Sequence, residues 1–111
     1  MTDLEMTKLC ARAVGLEVMI ATSHAPGGRR YVQLGNAGDG PSGDVYNPLE
    51  DDAQAMALVR RFRVDINSLD DANWYARIPS QQHEYCHAAD LNRAIVTCVA
   101  NMQAVKQREA A

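Results

Sequence analysis

"YNPLEDDAQAMALVRRFRVDINSLDDANWYARI", residues 46–78, decides how this chain is built, because its hydrophobic period changes partway along. Up to Phe62 the apolar residues recur at helical spacing, as Ala55, Leu58, Val59 and Phe62 with Met56 beside them. Beyond Phe62 the period falls to two. Val64 and Ile66 alternate with Asp65 and Asn67, then Trp74, Ala76 and Ile78 alternate with Tyr75 and Arg77, so two half-buried strands flank the turn "DDAN". At the start of the helix Asn47 reads as the N-cap. Pro48 suits the first helical position, where its missing N–H has no partner to lose, and Glu50 completes a capping box. Asp51 and Asp52 put negative charge at the positive end of the helix dipole, and Arg60 and Arg61 put positive charge at the other end. The expectation is a helix over about 48–61 followed by an antiparallel hairpin. Pro79, which lacks a backbone donor, stops the hairpin.

The N-terminal part of the chain carries the same unit. "TDLE" has the capping-box form, with Thr2 as N-cap and Glu5 reaching back to it, and Met6, Leu9, Cys10 and Ala13 follow at helical spacing. Gly15 can take the left-handed conformation that closes a helix, so the first helix is expected over about 3–14. "LEVMIATS" and "YVQL" around the turn "HAPGGRR" predict strands at roughly 17–22 and 30–34. The stretch "GNAGDGPSGDV", residues 35–45, is too rich in glycine for regular structure and reads as a surface loop. At the far end Leu91, Ile95, Cys98, Met102 and Val105 step by four, three, four and three residues, which predicts a third helix from about 86 to 106.

The resulting order, α-β-β-α-β-β-α, has no long parallel crossover. It predicts an α+β fold in which one antiparallel four-stranded sheet packs with three helices. With 111 residues, 47% of them hydrophobic, the expectation is a single domain over 1–111.

Charge and composition exclude several classes of function. The chain has 11 Lys and Arg against 14 Asp and Glu, a formal charge of −3, which lacks the basic excess that holds proteins on phosphate backbones. No apolar run approaches the roughly 20 residues needed to span a bilayer, and "MTDLEMTK" is polar rather than a leader, so a cytoplasmic location and no membrane partner are expected. Cys10, Cys86 and Cys98 are an odd number without a secretory context, which points to reduced, mostly buried thiols.

One short match demands a separate test. "HEYCH", residues 83–87, has the H-E-x-x-H form in which two histidines one helical turn apart bind zinc and the glutamate activates water. His83, Glu84 and His87 satisfy it on paper, but a third ligand is missing: position 93, where an extended form places histidine, is Arg93, and Glu109 sits in the tail of the same helix. Asp90 is seven residues from His83, about 10.5 Å along a helix, and Cys98 is twelve from Cys86, about 18 Å, so neither pair meets at one ion on a straight helix. His24, in the first hairpin turn, is the one remaining candidate. The residues are therefore read chiefly as polar groups entering a helix, with no catalytic, cofactor or metal site assigned. A zinc-dependent hydrolase is kept as the alternative.

Other candidates have plainer readings. Arg29, Arg30, Arg60, Arg61, Arg63 and Arg77, with Tyr31 or Trp74 as a stacking platform, would suit single-stranded nucleic acid, but the net charge opposes it and ion-paired surface is the simpler account. Trp74 alternates in phase with Ala76 and Ile78 and so belongs to the core. The glycine-rich stretch lacks the G-K-[ST] ending of a phosphate loop. Cys86 between two histidines could be an activated thiol, although a cysteine enzyme would also need an oxyanion site and a pocket.

The "TDLE" start, "YNPLEDDAQAMALVRRF", the tryptophan-bearing second hairpin and "HAADLNRAIVTCVA" together resemble the small phage and prophage proteins grouped as the phage ABA sandwich domain. The resemblance spans nearly the whole chain and rests on helix starts and apolar patterns. It implies a prophage-encoded protein with an αβα sandwich, and it brings no active-site residues. Asp65, Asn67, Arg77 and Gln33 make one sheet face polar, which leaves a two-layer arrangement as the alternative. The expected function is a non-catalytic cytoplasmic module that binds a host or phage protein, with no cofactor. Helix three's stripe could also serve a homo-oligomer.

Overall fold

The structure, a computed structural model, describes residues 1–22, 27–28, 30–34, 45–70, 73–79 and 86–110. Among these residues the chain runs α1 (Asp3–Ala13), β1 (Val18–Thr22), β2 (Arg30–Leu34), α2 (Asp52–Phe62), β3 (Asp65–Asp70), β4 (Asn73–Arg77), β5 (Cys86–Ala88) and α3 (Leu91–Ala110). The α+β class holds. The single four-stranded sheet does not: there are two small antiparallel sheets, β1–β2 and β3–β4–β5. Residues 35–44 of the glycine-rich stretch, Pro26 of the first turn and two residues of "DDAN" lie outside the described residues.

Helix α1 begins as the capping box dictates. The Glu5 N–H donates to Thr2 Oγ1 at 3.1 Å, and the Thr2 N–H donates to the Glu5 carboxylate at 3.1 Å. It ends on Gly15 at φ 77°, where the Leu16 N–H reaches back to the Ala11 carbonyl and the Gly15 N–H to that of Arg12. Helix α2 starts later than the sequence predicts. Residues 48–50 form a separate turn in which the Glu50 and Asp51 N–H groups bond the Asn47 carbonyl, and Asp51 caps the helix by accepting from the Gln54 N–H at 3.0 Å. Asn47 is held apart from that role. Its N–H donates to Gln54 Oε1 at 2.6 Å, while Gln54 Nε2 donates to the Val45 carbonyl at 3.1 Å, so Gln54 clamps the approach to its own helix. The helix closes on Arg63, a left-handed residue without being glycine, at φ 54° and ψ 53°.

Two sheets form because each hairpin fills an edge from nearby in the chain. Next to β2, Val45 bridges Gln33 and the Tyr46 N–H donates to the Val32 carbonyl at 2.8 Å. Next to β4, the three residues of β5 pair in register, Trp74 with Ala88, Tyr75 with His87 and Ala76 with Cys86. Edge groups satisfied in this way have no need of the other hairpin. The expected start of helix three at 86 is therefore corrected. Cys86–Ala88 is a strand, and Asp90 starts α3 by accepting from the Arg93 N–H at 3.0 Å.

Helix α3 is the centre of the fold. It packs on α1, on α2 and on the β4–β5 side of the larger sheet, while β1 and β2 pack on α1. Ala94, Ile95, Val96, Val99 and Ala100 are all wholly buried, on several sides of the helix rather than along one stripe. Polar ties fix its N-terminal part to its neighbours. Asn92 donates to the Asp52 carboxylate at 2.8 Å, and the Cys10 thiol donates to the Val96 carbonyl at 3.5 Å.

Register places Ile66, Ala76 and Cys86 on one face of the larger sheet, and Asn67, Tyr75 and His87 on the other. The first face meets α3. The second carries the exposed Asp65, Asn67 and His87, with Arg77 paired to Asp65 at 3.6 Å, which is the polar sheet face expected from Asp65, Asn67 and Arg77.

Candidate functional site

Cys86 and His87 are adjacent on β5, so their side chains point to opposite faces of the sheet. His87 is exposed on the outer face, its ring 5.6 Å from that of Tyr75. A zinc helix needs both histidines of H-E-x-x-H on one helical face, and a histidine on a strand cannot meet that geometry. The strand wins here because β4 offers Cys86–Ala88 backbone partners, and the helix cap is four residues further on at Asp90. His24, His83 and Glu84 lie outside the described residues. Among the described residues no group of three His, Cys, Asp or Glu is placed to hold a metal ion.

The inward side chain of β5 has the more informative surroundings. Cys86 is half-buried against α3, where Asn101 Nδ2 donates to its sulfur at 3.6 Å and Cys98 stands one turn earlier on the same helix. Cys98 and Asn101 together favour the thiolate and outweigh burial, which brings Cys86 down to about 7. Cys98 moves the opposite way, pushed up by the hydrogen bond to Cys86 and by its own burial. The expected separation of these cysteines along one straight helix is thus overturned. A chain that turns between 88 and 91 folds β5 back along α3 and sets Cys86 beside Cys98. Cys10 is a different kind of thiol: it is wholly buried, and burial pushes it up to about 12.

A groove of about 670 Å³ runs between α1 and the C-terminal half of α3. Leu9, Ala104 and Val105 supply its apolar floor, and Lys8, Arg12 and Arg108 stand along it. Glu5, already engaged in the α1 capping box, is the one carboxylate among the lining residues. Asn101 lines the groove as well as touching Cys86, so it joins the two features. The groove is hidden in the sequence because Leu9 and Val105 fit the apolar stripes of a core. The available signal was Lys8 and Arg12 at i, i+4 on α1 flanking an apolar residue, together with a last helix that continues past 106 to Ala110.

A second depression, about 590 Å³, lies between α1, β2 and residues 45–50. At its rim Arg93 donates through both terminal nitrogens to the two oxygens of Asp3 at 3.0 Å, which holds the Asp3 carboxyl below its ordinary range. The two charges satisfy each other. Of the arginines proposed for nucleic acid, Arg29 lies outside the described residues and Arg30, Arg60, Arg61, Arg63 and Arg77 are spread over β2, the end of α2 and β4, while Trp74 packs against the core, so it offers no platform for a base. No helix among the described residues is long and apolar enough to cross a membrane. In comparison with known proteins the chain matches no family model, no curated protein and no solved structure.

Proposed function

We propose that this chain is a small, non-catalytic protein-binding module of the phage type that acts in the cytoplasm and receives an acidic, amphipathic segment of its partner in the α1/α3 groove. The groove carries the reading. Its volume of about 670 Å³ accommodates several side chains, and its floor is apolar. Lys8, Arg12 and Arg108 against Glu5 give its lining a net positive charge in a chain whose formal charge is −3, so the groove attracts what the rest of the surface repels. An amphipathic helix laid into a groove with apolar anchors at helical spacing is a recurring way of recognising a partner. Three free thiols suit a reducing compartment.

The test is fluorescence anisotropy with a labelled helical peptide that carries leucines on one face and Glu and Asp on the other. A second peptide has the acids replaced by lysine. The acidic peptide is expected to bind, the basic one not, and Lys8→Glu with Arg12→Glu is expected to weaken binding at least about tenfold, more at low salt than at high. Equal binding of both peptides, or no effect of the double reversal, overturns the reading. So does a concentration-dependent dimer that Val105→Glu abolishes, because the occupant is then a second copy.

A further inference from the structure

We propose that Cys86 is a hydroperoxide-reactive thiol and that Cys98 resolves it into an intramolecular disulfide joining β5 to α3. The pair is assembled by tertiary structure: one sulfur comes from a strand and the other from the helix packed on it, and Asn101, one turn after Cys98 on that helix, sets its amide 3.6 Å from the Cys86 sulfur. Their exposures differ in the way such a pair requires. Cys86 is half-buried and open to a small oxidant, whereas Cys98 is 7% exposed and is shielded from one. Asn101 Nδ2, 3.6 Å from the Cys86 sulfur, stabilises negative charge there. The depressed titration of Cys86, to about 7, agrees with that geometry. Cys10 is an internal control, since it is wholly buried and donates to the Val96 carbonyl.

The chemistry balances with a hydroperoxide as oxidant. The Cys86 thiolate attacks one peroxide oxygen, so an S–O bond forms and the O–O bond breaks. The departing oxygen takes a proton and leaves as water or an alcohol, and the sulfur, having lost two electrons, is a sulfenic acid. Cys98 sulfur then attacks Cys86 sulfur, the S–S bond forms, and the S–OH bond breaks. The leaving hydroxide takes the Cys98 proton and departs as water. A dithiol reductant returns two electrons and two protons to restore both thiols. Asn101 borders both places, yet this inference does not rest on the groove reading, because its test reads a cross-link and not peptide binding.

The experiment treats the native full chain with one equivalent of hydrogen peroxide, blocks remaining thiols with iodoacetamide, and maps the products by mass spectrometry before and after reduction. The expected product is a monomer lacking two hydrogens, with residues 86 and 98 cross-linked and Cys10 alkylated only after unfolding. Before oxidation, Cys86 is expected to be alkylated at least about tenfold faster than Cys98. In Cys98→Ser the Cys86 sulfenic acid is expected to persist and be trapped by a cyclic 1,3-dione. If Cys98→Ser fails to fold, the cross-link in the wild-type chain decides alone. Oxidised protein without the 86–98 cross-link, or Cys86 untouched while the fold is native, overturns the proposal.

Discussion

Val96→Ala separates the two accounts of helix α3. The stripe Leu91, Ile95, Cys98, Met102 and Val105 places the buried side on one face, and Val96, at 100° per residue, falls on the opposite side of the helix. In the structure Val96 is 0% exposed, while Val105, a member of the stripe, is half-buried in the groove floor. Removing two buried methyl groups costs about 1.6 kcal/mol in transfer at about 0.8 per carbon. A residual cavity of roughly 50 Å³ adds about 1.2 kcal/mol at about 24 cal/mol per Å³, for a total of about 2–3 kcal/mol. Val105→Ala, which removes the same atoms from a half-open site, is expected to cost less than about 1 kcal/mol. The assay is urea unfolding followed by far-ultraviolet circular dichroism, with thermal melts in parallel. A chain of 111 residues has an unfolding entropy of about 0.23 kcal/mol/K, so a loss of about 2 kcal/mol lowers Tm by about 9 °C. A Val96→Ala protein within about 0.5 kcal/mol of wild type, or one more stable than Val105→Ala, would refute the placement of α3 as a helix enclosed on several sides.

Three further perturbations have opposite or conditional signs. Arg63→Gly relieves a left-handed side chain at φ 54° and is expected to gain about 0.5 kcal/mol after the greater unfolded-state freedom of glycine is subtracted, whereas Gly15→Ala, with no atom within 4 Å of the new Cβ, loses about 1 kcal/mol on conformation alone; urea midpoints shifting in the same direction would reject the account of these caps. Arg93→Ala is expected to cost no more than about 1 kcal/mol at neutral pH, because the Asp3–Arg93 pair is well exposed. Asp3 titrates below its ordinary 3.8, so the pair's contribution is present above that pH and lost as pH falls through the lower folded value; wild type and Arg93→Ala should converge there, and a gap that persists in acid contradicts it.

Of the candidate sites, little could be read from the chain alone. The H-E-x-x-H match drew attention to the right segment for the wrong reason, since its value lies in Cys86, which faces inward, and His87 points away on the other side of the sheet. The Cys86–Cys98 contact and the α1/α3 groove each combine residues from elements far apart in the chain. No local pattern encodes such a meeting. A spacing argument along one helix separated the two cysteines, because it could not know that residues 86–88 would take β4 as a partner.

What the sequence by itself determined is local. The Thr2–Glu5 capping box, the Gly15 stop, the two hairpins and the switch of hydrophobic period after Phe62 follow from bonds and contacts among residues a few positions apart, and the structure shows each of them. Tertiary structure decided what depends on competition between partners. It moved the cap of α2 from Asn47 to Asp51, because Gln54 engages Asn47, and it split the strands into two sheets by filling edges with Val45 and with β5. It also buried α3 on several sides. Hydrophobic periodicity records which face of a helix is apolar, but the number of elements that pack around it is set by where the rest of the chain goes.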